Sequence, residues 1–219
     1  MFTTPDIGAK VWDAALDSLY MISVSSVLTV LIGVPLAVIL VVTQKGHIME
    51  NPRLNGILGL TVNFIRSIPF PVFIIFVMPV TKALVGTKIG STAAIVPLTL
   101  AAIVFMARLA ETALLEVPGG LIEAAQAAGA GKWQIIRHVL LPEARSGLIL
   151  AITILVITLI SYSAMAGTVG GGGLGTLAIN YGYQRYQADV MIICVLLLSF
   201  VVQAIQHYGE KLARNFNKR

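Results

Sequence analysis

Groups able to ionise, coordinate a metal or attack a substrate are sparse in this sequence. The glycine run VGGGGLGTLA at Val169 to Ala178 comes nearest to a phosphate cradle, yet no strand pattern precedes it and no lysine follows. The GxxxxGK[ST] spacing, in which backbone N–H groups and a lysine hold phosphates, is absent, so the chain is not expected to bind ATP itself. Glycines so closely spaced suit a helix end and a re-entrant or outer-side turn where backbones approach. His47, His138 and His207 are isolated from one another, and the lone Cys194 lies in an apolar run. That inventory encodes no metal set and no disulfide framework, and no catalytic constellation is expected. One stretch is unlike the rest: LIEAAQAAGAGKWQIIRHVLLPEA, Leu121 to Ala144, is amphipathic and rich in alanine and glycine between hydrophobic runs.

The surrounding elements are written for lipid. Of 219 residues, 57% are hydrophobic and 11% charged, with net charge +5 and mean hydropathy +0.89. A soluble domain carries roughly a quarter charged residues, so this composition implies an integral membrane protein. The basic residues are dispersed between apolar runs, which speaks for membrane orientation and against nucleic acid. A span needs about 20 apolar residues. Five runs qualify: about 16–42, with Gly33 and Pro35 marking a kink; 54–80, interrupted by Arg66, Pro69 and Pro71; 89–109; 147–166; and 190–205. The expected fold is all-α, five transmembrane helices in one domain over 1–219, with a loop at about 117–143. The N-terminal segment lacks a basic leader, so the first run is expected to remain as a span.

Charge selects the orientation. With the N-terminus outside, the inner side carries Lys45, Arg53, Arg108, Lys132, Arg137, Arg145, Lys211, Arg214, Lys218 and Arg219. The outer side then holds only Lys10, Lys82, Lys88 and Arg185. Because basic loops stay inside, the N-terminus is expected outside and the C-terminus and the 117–143 loop in the cytoplasm. Every acidic residue falls at a span end or in a loop, Asp189 nearest to lipid. Ion-coupled carriers use buried carboxylates or unwound midplane sites, so an external energy source is expected. Arg66 is the charge well inside a span. It is either an arginine snorkelling near the inner interface or buried against carbonyls, or a pathway or interhelical residue braced by Ser67 and the turn at Pro69.

Within the loop, Pro118 can open a helix whose Leu121, Ile122, Ala125 and Ala128 share one face, while Gly129 and Gly131 stop it. A second pattern puts Trp133, Ile136 and Leu140 on one face, ending at Leu141-Pro142. Such a hairpin could simply lie at the membrane surface. Its small side chains are poor lipid anchors and instead permit another protein surface to approach.

Glu123-Ala124-Ala125, three residues, Gly129, nine residues, Val139, one residue and Leu141-Pro142 resemble the EAA loop of ABC-importer permeases. Val139 stands where the family usually has isoleucine. NFIRSIPF (63–70) and SYSAMAGTVGGGGLGTLAINYGYQRY (161–186) are similar to methionine-type permeases of that family, and the likeness covers essentially the whole chain. The resemblance implies a homodimer in the bacterial cytoplasmic (inner) membrane, in contact with membrane lipid. It also implies two cytoplasmic ATPase subunits that hold ATP and Mg, and an extracytoplasmic substrate-binding protein. In such a family Leu121, Ile122, Ala125 and Ala128 form the face that docks into the ATPase, and Glu123 pairs or caps nearby. Gly129 sets the turn, while Tyr162, Ser163, Met165 and Gly167 match the axial gate region. The loop does not encode the solute, so another amino acid or an osmoprotectant stays open, as does a non-transport scaffold for an ATPase.

Overall fold

The computed structural model describes residues 7–216, and all regular structure in them is helical. Lys218 and Arg219, counted above on the inner side, lie outside the described residues, as does the start of the N-terminal segment. The long elements are α1 (Ile7–Val42), α2 (Pro52–Arg66), α3 (Phe70–Val85), α4 (Ser91–Leu115), α8 (Arg145–Ala166) and α10 (Ala188–Phe216). Between α4 and α8 lie α5 (Gly119–Ala127), α6 (Lys132–Ile135), a π-helical turn (Ile136–Leu140) and α7 (Leu141–Glu143). Between α8 and α10 lie a 3₁₀ turn (Gly167–Val169), α9 (Gly173–Leu177) and a second π turn (Ala178–Tyr183).

Four helices are long and apolar enough to cross a membrane, and the bent pair α2–α3 makes a fifth candidate span. The chain is thus an all-helical membrane protein with four to five spans. Many of the largest exposed side chains are apolar, among them Ile57, Leu60, Phe76, Leu196 and Phe200. In water such a surface would drive aggregation; against hydrocarbon it is the solvated face.

The run expected over 54–80 is broken, its two helices meeting at 108°. Pro69 and Pro71 explain the break, since proline disfavours helical geometry before it and removes backbone donors. Ser67 closes α2, its hydroxyl donating to Phe64 O at 2.7 Å. Other helices outrun their apolar cores because charged turns find partners. Lys10 Nζ lies 4.8 Å from the Tyr181 ring centre at the start of α1, and Glu210 accepts from Arg214 near the end of α10.

The residues fall into two compact units. One holds 7–28, Ile68–Ala102 and Val156–Gln206. Its core includes Leu174, Leu177, Val190 and Cys194, with Val11 and Ala15 of α1 packed against them. The other holds Thr29–Ser67, Ile103–Leu155 and 207–216. Leu40, Val62, Val104 and Ala107 form its core, where Leu36, Leu58 and Ile65 also pack. In that unit Gly33 lets α1 approach α4, for a Cβ there would stand 2.9 Å from Met106 Cβ.

Candidate functional site

The loop that carries the E-A-A spacing is a helical hairpin. Pro118 stands at the N-cap of α5. The helix stops in a Schellman arrangement: Ala130 N–H donates to Ala125 O at 3.0 Å and Gly129 N–H to Gln126 O at 2.9 Å. This closure needs a left-handed residue, and Gly129 supplies it with φ +80°. The second arm begins at Gly131, whose N–H donates to Gln134 Oε1 at 2.8 Å. Pro142 lacks the N–H a regular α-helix would use, and Leu141 N–H reaches back to Ile136 O as the π turn.

Burial separates the two arms. No residue of α5 is buried. Leu121, Glu123, Ala124, Ala128 and Gly129 are exposed, while Ile122 and Ala125 are half-buried. The second arm buries Ile135, Ile136 and Leu140, but Trp133 is 70% exposed. The face expected to pair Trp133 with Ile136 and Leu140 therefore turns Trp133 outward, and Ile135 takes the inner place. Val139, Leu141 and Pro142 are half-buried. At the foot of the hairpin Gly147 allows α8 to meet α4, where an added Cβ would stand 2.8 Å from Ala113 Cβ. A cavity of about 250 Å³ opens there, lined by Glu116, Pro118, Pro142, Glu143 and Phe216 among others.

The gate candidates gather in the other unit. Tyr162 stacks on Phe70 with ring centres 4.2 Å apart and planes within 1°. Phe70 follows the break at Pro69, so the proline turn and α8 meet through these rings. Ser163 is buried and donates to Ile160 O at 2.8 Å, whereas Met165 is 45% exposed. The glycine run folds back on the end of α8. A Cβ on Gly167 would overlap Gly175 and Thr176 backbone, and one on Gly175 would overlap Ala164. Gly171 N–H donates to Ala166 O at 2.9 Å, and Ser18 Oγ accepts from Leu174 N–H at 2.9 Å. Arg66 and Ser67, both exposed, belong to the unit that holds the hairpin rather than the one that holds Tyr162.

Two features lie beyond the sequence reading. Phe70 was hidden among apolar neighbours. Glu111 is only 8% exposed and pairs with Arg108 at 2.5 Å; an Arg–Glu spacing of three within a helix was the available signal. Among the described residues no group of three or more His, Cys, Asp or Glu could hold a metal. In the connection after α1, desolvation lowers the pKa of His47 from its ordinary value and favours the neutral imidazole.

The pattern of the binding-protein-dependent transport system inner membrane component family matches residues 33–215. The chain belongs to this family. Its members are inner-membrane, multi-pass permease components, which agrees with the helical spans above. A probable D-methionine transport system permease protein MetI of Vibrio cholerae is 53% identical over 206 residues, covering 94% of this chain and 92% of that one. The methionine import system permease protein MetP of Bacillus subtilis is 41% identical, over 96% of this chain and 95% of that one. A chain of the inward-facing MetNI methionine ABC transporter superposes with a TM-score of 0.96 at 44% identity, covering 99% of this permease and 100% of its counterpart.

Proposed function

We propose that this chain is the membrane-spanning permease subunit of an ATP-driven methionine importer. The observation that carries the reading is end-to-end likeness to the inward-facing MetNI chain at TM-score 0.96 and 44% identity. In this reading the N-terminus lies outside and the hairpin lies in the cytoplasm. Two copies of the permease pair with two ATPase subunits and receive solute from an extracytoplasmic binding protein. ATP and Mg belong to the ATPase.

The uncovered α5 is the coupling helix. Leu121, Ile122, Ala125 and Ala128 enter a groove of the ATPase, while Glu123 and Ala124 flank that face. Gly129 sets the angle to the second arm, which Val139, Leu141 and Pro142 seat on the spans. Closure of the ATPase shifts the hairpin, and ATP binding favours whichever permease state accommodates the new position. Tyr162, Ser163 and Met165 form the gate, with Phe70 as the ring that Tyr162 leaves or keeps. Met165, exposed and flexible, is suited to seal an axis against its copy on the second permease. Arg66, Ser67 and Pro69 mark the pathway side of the broken span.

Reconstitution with the cognate ATPase and binding protein tests the reading. ATP-dependent uptake of labelled methionine is expected, competed by unlabelled methionine above other amino acids and osmoprotectants. Stronger competition by one of those solutes would replace methionine as the cargo. ATPase assembly without uptake of any solute would favour a scaffold.

A further inference from the structure

Glu111 lies one turn before the end of α4, and both of its carboxylate oxygens are engaged. Oε2 accepts from Arg108 Nη1 at 2.5 Å, and Oε1 accepts from Gln44 Nε2 at 3.3 Å. The second terminal nitrogen of Arg108 donates to Gly59 O in α2 at 3.0 Å. The ion pair itself is internal to α4. Its outer bonds tie that helix to α2 and to the segment just beyond α1. Asn55 of α2 extends the tie, donating to Leu40 O at 2.5 Å and to Thr43 Oγ1 at 3.1 Å.

The arrangement is not explained by stability alone. The pair is partly exposed, Arg108 at 22% and Glu111 at 10% of their side-chain surface, and ion pairs at such intermediate exposure contribute little net stability. Arg108 Nε is buried without an acceptor, so the guanidinium is held by its outer contacts with one donor unmet. Directional bonds do something that the adjoining core of Leu40, Val62, Val104 and Ala107 does not. Apolar contact is non-directional and tolerates sliding, whereas these bonds close at one rotation and height of α4.

That restriction matters because α4 leads straight to the coupling hairpin. Only Glu116, Val117 and Pro118 separate it from α5, and Val117 N–H still bonds Leu114 O at 3.3 Å. We infer, on the reading that the chain is an importer permease, that Arg108 and Glu111 are positioning residues of a clasp. The clasp makes α2 and the end of α1 follow α4 when the hairpin is displaced. Without it α4 moves and its neighbours slip, so ATP is consumed with little import.

The test uses the complete complex in vesicles of phosphatidylethanolamine and phosphatidylglycerol, counting ATP hydrolysed per methionine imported. Glu111→Gln keeps the shape and removes the charge. It is expected to raise that ratio about fivefold or more, with assembly and the apparent affinity for loaded binding protein unchanged. Glu111→Asp is expected to recover most of the native ratio. The apolar double variant R108M/E111L is expected to assemble and show the same loss as Glu111→Gln. A native ratio in Glu111→Gln and in the double variant would overturn the clasp. Loss of assembly in all three variants would overturn it as well, because the pair would then be a fold determinant. If the unaltered complex imports no methionine, the importer reading falls and the clasp falls with it.

Discussion

Gly175 has no room for a side chain, because a Cβ there would overlap the backbone of Ala164. Gly175→Ala is expected to cost about 1–3 kcal/mol, the range for overpacking a filled site. Thermal unfolding in detergent checks this, with Gly119→Ala as a matched control, since a Cβ at Gly119 meets nothing within 4 Å. The run of glycines could be read as a close-packed turn from sequence, for few other residues tolerate such approach. The partners could not. Gly175 meets Ala164 and Gly172 meets Ser91 only because the chain doubles back, and composition carries no trace of that path. Tyr162 stood out as a polar aromatic at a span end, yet its stacking partner Phe70 was one phenylalanine among many. Glu111 stands just past the run at 89–109 and so reads as a span-end charge, but accepting from Gln44 and Arg108 lets it sit buried within a helix.

Among elements, the hairpin over 117–143 was the most legible, because its stops are chemical. Gly129 with φ +80° is the residue type its closure demands, and Pro118 opens the helix that precedes it. Gly129→Asp and a bulky change at Ala125 are both expected to leave insertion intact and to uncouple ATP hydrolysis from uptake. Reconstituted vesicles read this directly; native ATP-driven transport in both variants would remove α5 from the coupling role. Hydropathy located the spans but not their ends. Apolar runs report where lipid begins, whereas a helix continues as long as its charged turns find partners, as Lys10 does on Tyr181. The second run showed the converse. Its average hydropathy is that of one span, but Pro69 and Pro71 decide the backbone, and the chain turns by 108°.

For the molecule as a whole, the likeness to an ABC transporter chain carries an expectation about energy supply. With ATP clamped, uptake is expected to be insensitive to an imposed proton gradient; uptake driven by that gradient without ATP would contradict ATP coupling. Fold class was readable at this scale because bilayer crossing constrains composition so strongly. The organisation into two compact units was not, since four of the long helices contribute to both and no break in the sequence marks the division. The bare α5 has a last consequence, and it concerns the life of the subunit before assembly. A nine-residue helix with none of its residues buried and glycines at both ends opens at little cost. On the proposed role of α5, a permease made in excess of its ATPase would offer proteases a cut site there, which docking would shield. Cellular quality control could thus match the number of surviving permeases to the supply of ATPase without any dedicated regulator.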